Sequence, residues 1–194
     1  MIGILGLHGS SQHPAFISEF LVRLAPERQY RSPKGPFADG DGFTFFKRRT
    51  DRSIPLDEIM ALARQGVSAD GFVTVSGLAE ILLVGYSSGA IFSSALLAVA
   101  PERFVGAILL RPQPISDDFT FPELSGKPVL IISGLHDERR EPQHASRIAE
   151  QLTDANAALT HHQLDAGHAW SPDNRDLLIA RTWLDENFPP SSKS

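Results

Sequence analysis

The sequence predicts an α/β domain: a mostly parallel sheet of about six strands flanked by helices on both faces. Three observations carry that expectation. Short apolar runs alternate with longer amphipathic segments along the chain. The length, 194 residues, suffices for one domain with a substantial core, and 42% hydrophobic with 21% charged residues is an ordinary globular composition. No internal repeat and no linker divides the chain, so residues 1–188 read as one domain and 189–194 as a disordered tail.

Taken in order, the apolar runs place strands near residues 2–7, 29–31, 81–84, 104–110, 128–133 and 159–164. The first helix spans 13–24, where Phe16, Ile17, Phe20, Leu21 and Leu24 recur at helical spacing before Pro26 stops it. Behind Pro55, the residues Leu56, Ile59, Met60 and Ala63 form an apolar helical face. That helix is expected to run brokenly through Gly66 and Gly71 to Val75. Further helices follow at 88–99, 142–152 and 174–188. Residues 32–42, rich in Pro, Gly and Asp, read as a loop.

Composition excludes several functions. The formal charge is −5, and basic residues gather only in the short clusters Lys47-Arg48-Arg49 and Arg139-Arg140, so no nucleic-acid partner is expected. The absence of cysteine rules out a thiol nucleophile, a disulfide framework and a cysteine-rich zinc site. No apolar run reaches the roughly 18 residues of a membrane span. The opening MIGILGLHG lacks the basic flank of a signal peptide. The expectation is a cytoplasmic protein without a membrane partner.

The chemistry gathers around Gly85-Tyr86-Ser87-Ser88-Gly89, which follows a strand and opens a helix. A Gly-x-Ser-x-Gly in that context is a nucleophile elbow. The serine sits on a strained turn, its glycines let strand and helix approach, and the helix start offers amides to a developing negative charge. Only Ser87 has glycines at both −2 and +2. The competing reading is a Gly/Ser turn without chemistry.

A serine hydroxyl needs a base, and the base an acid to orient it; on such turns the chain order is Ser, acid, His. Of seven histidines, His8 and His13 precede the serine, His144 falls on a helix, and His161 and His162 lie within a strand. His168 follows the last strand in a loop, where a base belongs. For the acid, Asp137 stands just beyond the strand ending near Ser133 and is preferred to Asp117 and Asp118. Asp165 belongs to the turn before His168. The oxyanion hole is expected from the backbone N–H groups of Ser10, after His8-Gly9, and of Ser88.

With these residues placed, the chain resembles the α/β-hydrolases, and more narrowly the bacterial phospholipase/carboxylesterase group of small serine esterases that includes the hydroquinone-resistance-type hydrolases. The resemblance covers nearly the whole chain. It rests on the ordered series LHGSS, GFTFFKRR, GYSSGA, FVGAILLRPQPI, LSGKPVLIISGLHD and DAGHAWSP. It implies a Ser87–Asp137–His168 triad with no cofactor and no metal. Two departures stand out. Glu138-Arg139-Arg140-Glu141 occupies a stretch that is usually apolar and proline-containing, so the polarity of that side of the pocket is not carried over. Ser88 also stands where relatives often have Asn or Gln.

The expected activity is hydrolysis of short-chain or small aryl esters through an acyl-enzyme, in a site left open because no long insertion builds a lid. Phe45, Phe46, Pro112, Pro114 and Trp170 are candidate pocket walls, with core packing the alternative for each. An acyl-protein or acyl-CoA thioesterase would use the same triad, and a non-catalytic binding protein would keep only the scaffold. The expected partner is a small-molecule ester, and a homodimer is compatible with the sequence.

Overall fold

The computed structural model describes residues 2–74 and 76–189. A six-stranded sheet holds β1 (Ile2–Leu7), β2 (Tyr30–Arg31), β5 (Glu80–Tyr86), β6 (Phe104–Leu110), β7 (Pro128–Gly134) and β8 (Ala158–Leu164) in the order β2-β1-β5-β6-β7-β8, every pair parallel. A parallel sheet needs crossovers that cover its faces, and these strands read as apolar runs for that reason. Alternation divides them: Leu5, Leu83, Leu109 and Ile131 face one side, while Ile4, Val84, Leu110 and Ile132 face the other. The first face carries α2 (Leu56–Val67), α3 (Ser88–Val99) and α4 (His144–Asp154). The second carries α1 (Pro14–Leu24) and α5 (Arg175–Asn187).

α3 is buried along most of its length because it lies against β1, β5 and β6 while α2 covers it. Its interior hydroxyls are satisfied by the turn before them: Ser93 donates to Gly89 O and Ser94 to Ala90 O.

Two local expectations change. Residues 32–42 are not all loop, because β3 (Phe37–Asp39) and β4 (Gly42–Thr44) form an antiparallel hairpin turned at Gly40, whose φ is +55°. Each strand has only three residues, too short for a period-2 pattern to show against the Pro/Gly background. α2 stops at Val67 rather than continuing through Gly71. There the chain reverses, Val73 N–H returns to Gly66 O, and a side chain at Gly71 would meet that same carbonyl at 2.2 Å. Val75, the expected end of that helix, and tail residues 190–194 lie outside the described residues.

Strand order reverses between β1 and β5, and at such a switch point the loops beyond the carboxyl ends open a crevice. The register aligns those ends. Leu7 pairs with Gly85, Tyr86 with Leu110, and Gly134 with Leu164. Residues 8–10, 87–88, 111–114, 135–141 and 165–170 thereby emerge along one edge. No helix among the described residues is long and apolar enough to cross a membrane.

Candidate active site

Ser87 leaves β5 with φ 55° and ψ −115°, a left-handed conformation costly for a side chain with a Cβ. The turn is held from both sides. Ser87 N–H donates to Leu110 O (2.9 Å), and its own carbonyl accepts from the amides of Ala90 and Ile91. The flanking glycines are required by contact. A Cβ on Gly85 would lie 2.5 Å from Gly89 O, and one on Gly89 would lie 2.1 Å from Leu7 O.

Around Ser87 the structure brings together residues far apart in sequence. His168 Nε2 lies 2.9 Å from Ser87 Oγ, and His168 Nδ1 lies 2.8 Å from both Asp137 Oδ1 and Oδ2. A carboxylate only accepts, so the proton sits on Nδ1 and leaves the Nε2 lone pair facing the hydroxyl. Both partners are sunk, with side chains 5% and 4% exposed. Burial pushes His168 below the ordinary imidazole pKa. The Asp137 hydrogen bond pulls it up, and the charge of Arg140 pushes it down again.

Arg140 was not singled out from the sequence. Its Nη2 donates to Ser87 Oγ (3.2 Å) and to Arg111 O (2.7 Å), while Nε is shared between Arg111 O and Pro112 O. Burial lowers its pKa to about 10 against the attraction of Asp137, leaving it charged at neutral pH. The polar stretch 138–141 was the one sequence signal pointing here.

Arg111, fully buried at the end of β6, was missed as well. Its guanidinium pairs with Asp176 Oδ1 (2.7 Å) and donates to Gly167 O and Ala169 O, on either side of His168. Tyr86 Oη adds a bond to His168 O (2.8 Å). The histidine is thus fixed from β5, β6 and α5.

Two clefts meet at Ser87. The larger, about 1100 Å³, includes Phe46, Arg48, Ser88, Pro114 and Arg140 in its walls. The smaller, about 270 Å³, is formed by Phe16, Tyr86, His168 and Trp170 among others. Ser10 and Ser87 border both. Among the described residues no three His, Asp or Glu side chains converge as metal ligands.

Residues 59–186, about two thirds of the chain, match the dienelactone hydrolase family. The chain belongs to that family. Over 186 residues it is 22% identical to MhqD of Bacillus subtilis (strain 168), named as a hydrolase, covering 94% of this chain and 92% of that one. Among solved structures it is similar to a Bacillus cereus carboxylesterase (TM-score 0.86, 22% identity, 96% and 88% of the two chains). It is also similar to a Mesorhizobium loti carboxylesterase (TM-score 0.78, 27% identity, 94% and 88%). This dienelactone hydrolase family member has the α/β-hydrolase fold and is a hydrolase of the carboxylic ester class.

Within this family member the remaining expected residues fall in different places. Ser10 and Ser88 both line the large cleft, and neither backbone N–H donates to another protein group among the described residues. Phe46 and Pro114 are on the cleft wall, and Trp170, stacked on Phe20 at 4.8 Å, walls the smaller pocket. Phe45 is not a wall residue. It is 1% exposed and packs between His8 and Phe92, in the bend that follows β4. Pro112 is buried and contributes its carbonyl to Arg140 rather than a surface to the cleft. His8 is internal: Gly35 N–H donates to its Nε2, and its Nδ1 donates to Gly9 O, tying the chain before β3 to the end of β1.

Proposed function

We propose that this hydrolase cleaves short-chain or small aryl carboxylic esters through a covalent acyl-enzyme, with Ser87 as nucleophile, His168 as general base and acid, and Asp137 as the group that orients it. The observation that carries the reading is the continuous hydrogen-bonded path from Ser87 Oγ through His168 to the buried Asp137 carboxylate, at 2.9 and 2.8 Å.

Ser87 Oγ attacks the ester carbonyl as its proton passes to His168 Nε2. Asp137 stabilises the resulting imidazolium. The free amides of Ser10 and Ser88 hold the oxyanion, each such donor being worth about 3–4 kcal/mol in the transition state. His168 then protonates the leaving alkoxide. Water, deprotonated by the same nitrogen, hydrolyses the acyl-enzyme and restores Ser87.

The test is labelling with a fluorophosphonate probe. The wild type should label and Ser87→Ala should not; an unlabelled, folded wild type would favour a binding role on the same scaffold. Ser88→Ala should keep most of the turnover and all of the labelling. Its hydroxyl is buried with no hydrogen-bond partner, so its loss removes an unsatisfied group and leaves the amide in place. Rates on an oxygen ester and a thioester of one acyl group then separate esterase from thioesterase.

A further inference from the structure

The two expected oxyanion donors are supported in different ways. Ser88 N–H opens α3, and the turn beneath it is closed by the amides of Ala90 and Ile91 on Ser87 O. Ser10 N–H stands in the loop between β1 and α1. There Ser10, Ser11 and His13 are exposed, and Ser11 takes a left-handed φ of +58°. Such a loop lacks the ladder of bonds that holds a helix start, so its order comes from what packs against it.

That neighbour is the β3–β4 hairpin, to which four consecutive loop residues are bonded. Ser10 Oγ meets Thr44 Oγ1 at 3.2 Å, and Ser11 Oγ donates to Asp39 Oδ2 at 2.9 Å. Gln12 O accepts from Phe43 N–H at 3.0 Å, and His13 Nε2 donates to Asp41 O at 2.8 Å. The two segments lie in close contact: a Cβ on Gly42 would be 2.5 Å from the carbonyl carbon of Ser11.

One of these bonds bears directly on the donor. Thr44 Oγ1 donates to Phe46 O at 3.0 Å, and a carbonyl only accepts, so the single Thr44 hydroxyl proton is spent. In the contact between the two hydroxyls Ser10 is therefore the donor, and Thr44, only 2% exposed, is the fixed acceptor. The peptide unit that carries Ser10 N–H is also held on its carbonyl side, where Gly9 O accepts from His8 Nδ1 at 2.8 Å. In a planar trans peptide the C=O and N–H point opposite ways, so restraint on both flanks of this unit sets where the amide aims.

We propose that Thr44 is a positioning residue for the oxyanion site: by accepting from the Ser10 hydroxyl, it lets the β3–β4 hairpin hold the Ser10 amide where the oxyanion forms. The inference rests on the acyl-enzyme reading, in which that amide takes the oxyanion. A donor aimed in advance needs no reorganisation as charge develops. A displacement of about 1 Å in a reacting geometry costs on the order of 100-fold in rate.

The experiment uses three variants and their combination. Thr44→Val keeps the shape and removes the acceptor, Thr44→Ser keeps both bonds, and Ser10→Ala removes the same bond from the exposed side while keeping the amide. On phenyl butyrate, kcat should fall about 10- to 100-fold in Thr44→Val and in Ser10→Ala, with KM little changed. Thr44→Ser should restore most of the rate. The double variant Ser10→Ala/Thr44→Val should lose no more than the slower single variant, because both changes remove one bond. Affinity for propyl trifluoromethyl ketone, which forms a tetrahedral oxyanion adduct on a reactive serine, should fall in parallel with kcat/KM. If Thr44→Val does not fold, Ser10→Ala decides the comparison alone. A folded Ser10→Ala that turns over like the wild type, losses that multiply in the double variant, or a loss confined to KM would overturn the proposal and leave the esterase reading intact. A wild type that neither hydrolyses the ester nor binds the ketone would overturn both.

Discussion

At His168 opposing influences meet, and the balance sets the pH dependence. Burial disfavours the imidazolium, Asp137 favours it, and Arg140 disfavours it. The net effect is a pKa below the ordinary histidine value of about 6.5. In the proposed reaction only the neutral ring can take the Ser87 proton, so kcat/KM should hold as pH falls past 6.5 and drop at a lower pH. Arg140→Gln removes a positive charge and admits water, and both changes make the imidazolium easier to form. The acid limb of the profile should therefore move to higher pH in the variant. A folded variant whose limb stays at the wild-type position would show that Arg140 does not act on His168. Ser87, Asp137 and His168 could be picked from the chain because each follows a strand in the order that the turn demands. Arg140 could not, because its contact with Ser87 spans 53 residues and depends on how the loop after β7 folds back.

Among the elements, β1, β5 and α3 form the unit that shapes the turn. α3 approaches the end of β1 so closely that Gly89 leaves no room for a Cβ beside Leu7 O. Gly89→Ala should force strand and helix apart and cost about 1–3 kcal/mol. For a chain of this size that is a drop in Tm of roughly 2–12 °C by calorimetry, with turnover falling further because Ser87 rides on the same turn. Gly126→Ala is the control: its added Cβ meets nothing within 4 Å, and only the φ of +72° is unfavourable. A Gly89→Ala protein as stable as the wild type would mean that α3 does not pack at this distance. The five long helices and the five sheet strands of six or seven residues were legible because apolar patterning survives in the sequence wherever an element has several turns or that many residues. The β3–β4 hairpin was not legible, since three-residue strands carry no period. The end of α2 was not either, because a tertiary return of the chain at Gly71 decides it.

For the whole molecule, the active edge depends on a buried cross-link that ties the end of β6 to β7, to the loop after β8 and to α5. Arg111 has its side chain 0% exposed, and its partner Asp176 is 3% exposed. The pair couples the end of β6 to the start of α5. Arg111 also reaches Ile132 O on β7 and the two carbonyls beside His168, while Asp176 Oδ2 accepts from Ser171 N. In the sequence Arg111 is a lone cation at the end of an apolar run, and nothing local announces a partner 65 residues away. Its carbonyl also accepts from Arg140, so one residue braces the loops of both His168 and Asp137. Asp176→Asn keeps the shape but leaves the Arg111 charge buried and unpaired, and turns one acceptor into a donor. Breaking a buried pair from one side costs about 3–5 kcal/mol, so Tm should fall by roughly 6–20 °C. Because α5 and the 165–170 loop are held by the same bonds, turnover at temperatures where the variant is folded should fall as well, through kcat rather than KM. Replacing both partners with apolar residues of similar volume should recover stability but not turnover, since the carbonyls of Gly167 and Ala169 would still lack their donor. If Asp176→Asn melts with the wild type and turns over at its rate, the site is held by its remaining contacts alone, and Arg111 has no part in positioning the base.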